Sequence, residues 1–143
     1  MLVHGFAPTA LGGLRTYAEL AAEHPRVPVI VGAFGGLSWP PLVDLAARRA
    51  NLFPDTSGVL LVFGLRAAVR APPEQCLFGP NTPYGDVLAS GATLEAAVED
   101  PTVRDLVLGG NLGRVLGERA RRERRRPGRP VMGRRIPGRL VRG

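Results

Sequence analysis

The run Val27-Pro28-Val29-Ile30-Val31 constrains the fold more tightly than any other stretch of the sequence. It is unbroken in apolar character and rich in β-branched side chains, which marks a strand buried on both faces. Such strands belong to parallel sheets, whose members are joined by crossover helices. The flanking segments supply those helices. Upstream, Leu14, Tyr17, Ala18 and Ala21 fall at i, i+3, i+4 and i+7, which predicts an amphipathic helix over 14–23, stopped by His24-Pro25. Downstream, the glycine-rich segment 32–36 reads as the loop at the strand's carboxyl end. Ser38 then predicts a helix N-cap, with Pro40 and Pro41 in the first turn. Leu42, Leu45 and Ala46 give that helix its buried face, and Arg48-Arg49 complement its C-terminal dipole.

The same alternation runs through the rest of the chain. Residues 1–4 form a very short apolar strand ending in His4, and residues 51–57 read as a third strand. Pro54 is a defect inside it, because it removes a ladder donor. The second half of 58–70 predicts a helix, ended by Pro72-Pro73. Residues 76–79 predict a fourth strand, which breaks at Gly-Pro-Asn. Thr93 predicts the cap of a short helix through Val98. Asp100-Pro101 opens a helix to about Leu108, and Gly109-Gly110-Asn111 ends it and caps a last helix over 112–117. The expected fold class is therefore α/β, with about four βα units and parallel strands.

Three phrases placed among these elements, together with the fourth strand, resemble the amidohydrolase-related family, metal-dependent hydrolases and decarboxylases on a TIM barrel. Residues 76–84, Cys-Leu-Phe-Gly-Pro-Asn-Thr-Pro-Tyr, are similar to the family's eighth strand, typically Leu-Phe-Gly-Ser-Asp-Thr-Pro-Tyr. Residues 27–36 resemble the sixth strand, an apolar run followed by His, an apolar residue and Gly-Gly. Asp55-Thr56-Ser57-Gly58 resembles the seventh, and 106–116 the closing helix with its Gly-Gly-Asn turn. The resemblance spans about 4–117 and covers strands five to eight. A complete barrel takes roughly 250 residues, 200 at the least, and this chain has 143. The expectation is thus a partial barrel, half of one, in residues 1–118.

The resemblance also implies roles for particular residues. His4 matches the strand-five His, a zinc-type ligand; the competing reading is a terminal His without partners. Ala33 stands where the family's strand-six His polarises substrate or moves a proton, and a methyl group does neither. Asn81 stands where the family has an Asp that ligates metal and handles protons. It keeps the size and one acceptor and loses the charge. Asp55 lies in a region that shapes the substrate pocket, or is an ordinary polar residue in a turn. The strand-one His-x-His pair has no counterpart here. One imidazole does not hold a catalytic metal, which takes about three protein ligands. The isolated chain is therefore expected to hold no metal and to have no activity alone. The parent activity is metal-dependent hydrolysis, or non-oxidative decarboxylation, of a small carbonyl or carboxylate compound.

Charge and cysteine usage limit the partners. Residues 1–118 hold 8 Arg against 11 acidic residues, whereas 119–143 hold 11 Arg against Glu123 alone. That Arg-, Pro- and Gly-rich tail is expected to be disordered beyond its first positions. An alternative function is an anion- or nucleic-acid-binding protein acting through this tail by phosphate neutralisation, with the globular part a scaffold; no aromatic residue is interleaved for stacking, and the competing reading is a low-complexity extension that binds only non-specifically. The chain has no lysine, so codon bias explains part of the arginine content. No apolar run approaches the ~20 residues of a membrane span, and Met1-Leu2-Val3-His4 lacks a basic leader. Cys76 is the only cysteine, set among apolar residues, which suits an inert core thiol in the cytoplasm. His24, at the N-terminal end of the barrel, reads as structural.

A half-barrel also has two edges that a closed barrel lacks. Unpaired backbone groups are expected at residues 1–4 and 76–79, with Val29, Val31 and Phe78 as candidates to face water. Self-association, or a partner chain that supplies the other half of the barrel, follows from that expectation.

Overall fold

The structure, a computed structural model, describes residues 1–4, 10–59, 61–70 and 72–124. Three short strands, β1 (Leu2–His4), β2 (Val29–Gly32) and β3 (Leu52–Pro54), form a parallel sheet in the order β1-β2-β3. In register, Leu2 pairs with Ile30, His4 with Gly32, and Val31 with Pro54. Helix α1 (Ala10–Glu23) and helix α2 (Trp39–Arg48) are the crossovers that make parallel pairing possible. α1 begins four residues earlier than the apolar spacing predicts.

Side chains alternate along the strands, and each face has its own cover. Val29, Val31 and Leu52 are fully buried with Ala21 of α1 and Leu42 of α2. The expectation that Val29 and Val31 face water is therefore wrong. They point outward to the helices and not into the barrel interior, a choice that a continuous apolar run leaves open. Ile30, Phe53 and Leu77 lie on the opposite face and pack against Val115.

The fourth strand is reduced to a single parallel bridge between Asp55 and Leu77. Leu77 N–H donates to the Pro54 carbonyl at 2.9 Å, and Thr56 N–H donates to the Leu77 carbonyl at 2.8 Å. The ladder stops on both sides for chemical reasons. Pro54 has no N–H for the preceding rung. At the following rung, Gly79 N–H donates to the buried Thr56 hydroxyl at 3.0 Å instead of to a main-chain carbonyl.

Helix α3 (Val62–Arg70) follows β3, and α4 (Val87–Ala97) packs on α3 in the largest core cluster, around Phe34, Leu65, Leu94 and Val107. Asp86 caps α4, its carboxylate accepting from Ala89 N–H at 2.8 Å. The expected cap, Thr93, lies inside α4, where its hydroxyl donates to the Ala89 carbonyl. Asp100 caps α5 (Pro101–Asp105) as the sequence predicts. Gly109-Gly110-Asn111 does not end that helix. A π-turn over Leu106–Gly110 carries it into α6 (Asn111–Arg124), past the expected end at 117. Residues 125–143, most of the basic tail, lie outside the described residues. Among those described, no helix is long and apolar enough to cross a membrane.

The outer edge of the fourth strand is not bare, contrary to expectation. Phe78 N–H donates to the Val107 carbonyl in the π-turn at 3.0 Å. The Asn111 side chain, fully buried, donates to the carbonyls of Cys76 at 2.9 Å and Pro73 at 2.8 Å. Arg114 donates to the Glu74 carbonyl. The helix thus does for this edge what a neighbouring strand would otherwise do. β1 is the sheet's other edge, with Leu2 71% exposed.

Candidate functional site

The strands deliver their polar loops to one end of the sheet, and Asp55-Thr56-Ser57 ties those loops together. The Ser57 hydroxyl accepts from Ala33 N–H at 2.8 Å, across the loop after β2. The Thr56 hydroxyl holds Gly79, in the loop after the fourth strand. Asp55 follows β3 directly and accepts from Ser57 N–H at 2.6 Å, closing a tight turn. By strand alternation its side chain shares the face of Phe53, the face that lines a barrel interior. Directly opposite is Gly79, where an added Cβ would sit 2.3 Å from Asp55 Oδ1. The missing side chain is what gives the half-buried carboxylate its room.

Ala33 and Phe34 begin the next loop with φ of 53° and 50°, the left-handed region that costs a non-glycine residue about 1–2 kcal/mol. Three contacts hold them there. Ser57 takes the Ala33 N–H, the Asp55 carbonyl accepts from Phe34 N–H at 3.0 Å, and the buried Phe34 ring stacks on Trp39 with centroids 6.0 Å apart. Gly35 and Gly36 continue the turn with φ of 71° and 59°.

Asn81 is exposed and left-handed, with φ of 60°, and its main-chain carbonyl accepts from Gly85 N–H at 2.7 Å. β1 brings His4 into register with Gly32, next to Ala33. The His4 side chain lies outside the described residues. Its backbone, Ala33 and Asp55 thus sit at the carboxyl ends of adjacent strands, with the Asn81 loop following the fourth. His24 lies at the other end. Its carbonyl accepts from Val27 N–H and from the Asn51 side chain, which also donates to the carbonyls of Ala21 and Val27.

The donor set does not suit a divalent metal. Ala33 offers no donor atom, Asn81 offers a neutral amide, and Asp55 is engaged with Ser57 N–H. Among the described residues, no three His, Cys, Asp or Glu side chains lie together as a metal would require. Cys76 is buried in the cluster around Leu65, Leu94 and Val107. Burial first, and the Asp55 charge second, push its thiol up to about 12, so the thiolate that reacts or ligates is suppressed.

Thr56, Ser57 and Gly79 are the site-shaping residues that sequence reasoning does not single out. The phrase Asp-Thr-Ser-Gly is visible in the sequence, but which loops its two hydroxyls tie is a tertiary fact.

Parallel strands, crossover helices and polar loops gathered at the carboxyl ends define part of a βα barrel. The amidohydrolase family model matches residues 3–117, and the chain belongs to that family. Two solved structures share the fold. The 5-carboxyvanillate decarboxylase LigW from Sphingomonas paucimobilis is 20% identical, with a TM-score of 0.60 over 75% of this chain and 39% of its own. A 2,6-dihydroxybenzoate decarboxylase, complexed with 2,6-dihydroxybenzoate, is 20% identical with a TM-score of 0.61 over 76% and 40%. The chain therefore spans about two fifths of the length of these relatives. No curated protein matches it in sequence. The partial TIM barrel expected from the sequence is the fold observed, as an open sheet.

Proposed function

We propose that this chain is the strand-five-to-eight half of an amidohydrolase barrel and that it turns over no substrate alone. The parent activity is non-oxidative decarboxylation, or hydrolysis, of a small carboxylate or carbonyl compound, dependent on a divalent metal such as zinc. The observation that carries this reading is the pair Ala33 and Asn81, at the carboxyl ends of strands where the chemistry needs an imidazole and a carboxylate. In the parent reaction the metal would polarise the substrate. Here Asp55, fixed by Ser57, remains as a carboxylate on the wall of the pocket, able to orient a polar ligand but held by its turn. A second reading follows from the β1 edge. A partner carrying the remaining strands, and with them a metal-binding His pair, would add there and complete an enzyme.

The test is turnover of 2,6-dihydroxybenzoate and related aromatic carboxylates by the purified chain, supplied with zinc or manganese. No product above the buffer rate is expected, and the variant carrying Ala33→His and Asn81→Asp should stay inactive. Turnover by the unaltered chain, with about one metal ion bound per chain, overturns the proposal.

A further inference from the structure

The basic end of the chain is patterned as well as rich in arginine. Residues 128–143 read Gly-Arg-Pro-Val-Met, Gly-Arg-Arg-Ile-Pro, Gly-Arg-Leu-Val-Arg, Gly. Glycine returns every fifth residue, at Gly128, Gly133, Gly138 and Gly143, and Arg129, Arg134 and Arg139 follow the first three. A β-branched residue holds the fourth place each time, as Val131, Ile136 and Val141. Codon bias sets how many arginines and glycines a chain has; it does not place them at one spacing. Ahead of the repeat lies a denser run, six Arg against Glu123 over 119–126, and α6 carries its first part as far as Arg124.

The folded body has the opposite sign and few arginines to spare. Residues 1–118 hold 8 Arg against 11 acidic residues. Arg48 is paired with Asp44 at 3.0 Å. Arg66 donates to the carbonyls of Ala96 and Ala97 at the end of α4, and Arg114 donates to the Glu74 carbonyl. A polyanion therefore meets attraction at the basic end and not on the body.

The residue types narrow the class of polyanion. Arginine presents a planar fork that bonds phosphate through two N–H groups and can lie flat on a base. The glycine before each repeat arginine has no Cβ to hold the backbone away from a ligand. Pro127, Pro130 and Pro137, with a glycine every fifth residue, predict no helix to enter the major groove of a duplex. They also deny the continuous apolar helix face that a lipid surface would take up. A strand whose phosphates and bases are both open fits this pattern.

We propose that residues 119–143 bind single-stranded nucleic acid, with the arginines of the Gly-Arg repeat on phosphates and exposed bases. The interaction uses no residue of the candidate site and is independent of any catalytic reading.

Fluorescence anisotropy of the full chain with a labelled, mixed-sequence RNA of about 20 nucleotides tests it. Neutralising roughly six to ten phosphates of a single strand gives a slope of about −4 to −7 in log K against log salt. Affinity should thus fall by about 10²- to 10⁴-fold between roughly 50 and 200 mM NaCl. Single-stranded DNA of the same length tells the two sources apart. Affinity within a few-fold supports contacts to phosphate and base alone, and tighter RNA binding supports an added contact to the 2′-hydroxyl. Arg129→Gln, Arg134→Gln and Arg139→Gln together should weaken binding by roughly tenfold or more and lower the slope by about two. Gly128→Ala, Gly133→Ala and Gly138→Ala together should keep the slope and still weaken binding several-fold. No binding at the lowest salt overturns the proposal. So does a slope that the arginine variant leaves unchanged, or tighter binding to duplex DNA or to phosphatidylserine vesicles than to either single strand. Full affinity of the glycine variant overturns the role of the repeat.

Discussion

Gly79 and Asp55 occupy one space that admits a carboxylate or a methyl group, but not both. An added Cβ at 2.3 Å from Asp55 Oδ1 has no flexible neighbour to move, since Ser57 N–H holds the carboxylate. Gly79→Ala is expected to destabilise the fold by about 1–3 kcal/mol, the usual cost of overpacking. Asp55→Gly in the same chain should recover part of that loss. Denaturant unfolding of the single and double variants checks both, and additive losses would show that the two positions do not share the space. Cys76 offers a second test at this scale. Burial first, and the Asp55 charge second, push its folded thiol up to about 12 from an ordinary 9.0. Below pH 9 both states keep the proton and the group has no effect. Above it the unfolded chain ionises first, so stability falls as pH rises from 9 toward 12. The melting temperature of Cys76→Ala should fall less steeply over that window. At pH 8 the native thiol should resist a disulfide reagent that labels the unfolded chain.

The elements hold together through a few polar contacts that replace missing ladder rungs. Asn111 is the clearest case, a fully buried amide that satisfies two carbonyls at the start of the fourth strand. Asn111→Leu keeps roughly the volume but leaves the Cys76 carbonyl unpaired in the core and the Pro73 carbonyl with only the long bond from Cys76 N–H at 3.4 Å. A loss of about 1–3 kcal/mol is expected, the cost of one orphaned buried group. Chemical denaturation checks it, and a loss under about 1 kcal/mol would mean that water reaches the carbonyls. Sequence spacing finds α1, α2, β2 and the Asp100 cap because each is a local rule with local partners. It misplaces the α4 cap, since Asp86 and Thr93 are both good capping residues and the packing of α4 on α3 decides between them. It also mistakes Gly109-Gly110-Asn111 for a helix stop. A pair of glycines usually breaks a helix, but here Asn111 is anchored to another element and the turn only widens.

At the scale of the whole molecule, the last described helix, α6, runs into the stretch that composition assigns to the basic tail. The charge pattern changes at 118, whereas α6 continues to Arg124. The Arg-, Pro- and Gly-rich composition of residues 125–143 predicts no packed structure, so deleting them is expected to leave the thermal melt within about 1 °C. Cutting at 117 removes the last turns of α6 and should lower it. A large drop on the shorter deletion would show that the tail packs on the body.

The sequence by itself determined the class of this protein. A β-branched run with helical patterns on both sides fixes a parallel sheet, and the positions of His4, Ala33, Asp55 and Asn81 within the family's phrases are read directly from residue order. Tertiary structure alone decided which face of β2 meets the helices, because an unbroken apolar run carries no period. It decided that Thr56 and Ser57 hold the neighbouring loops, because those partners lie more than twenty residues away. It decided, finally, that the fourth-strand edge is sealed. Open backbone groups are inferred from counting strands, and a carbonyl in a π-turn and the amide of Asn111 were free to satisfy them from a helix.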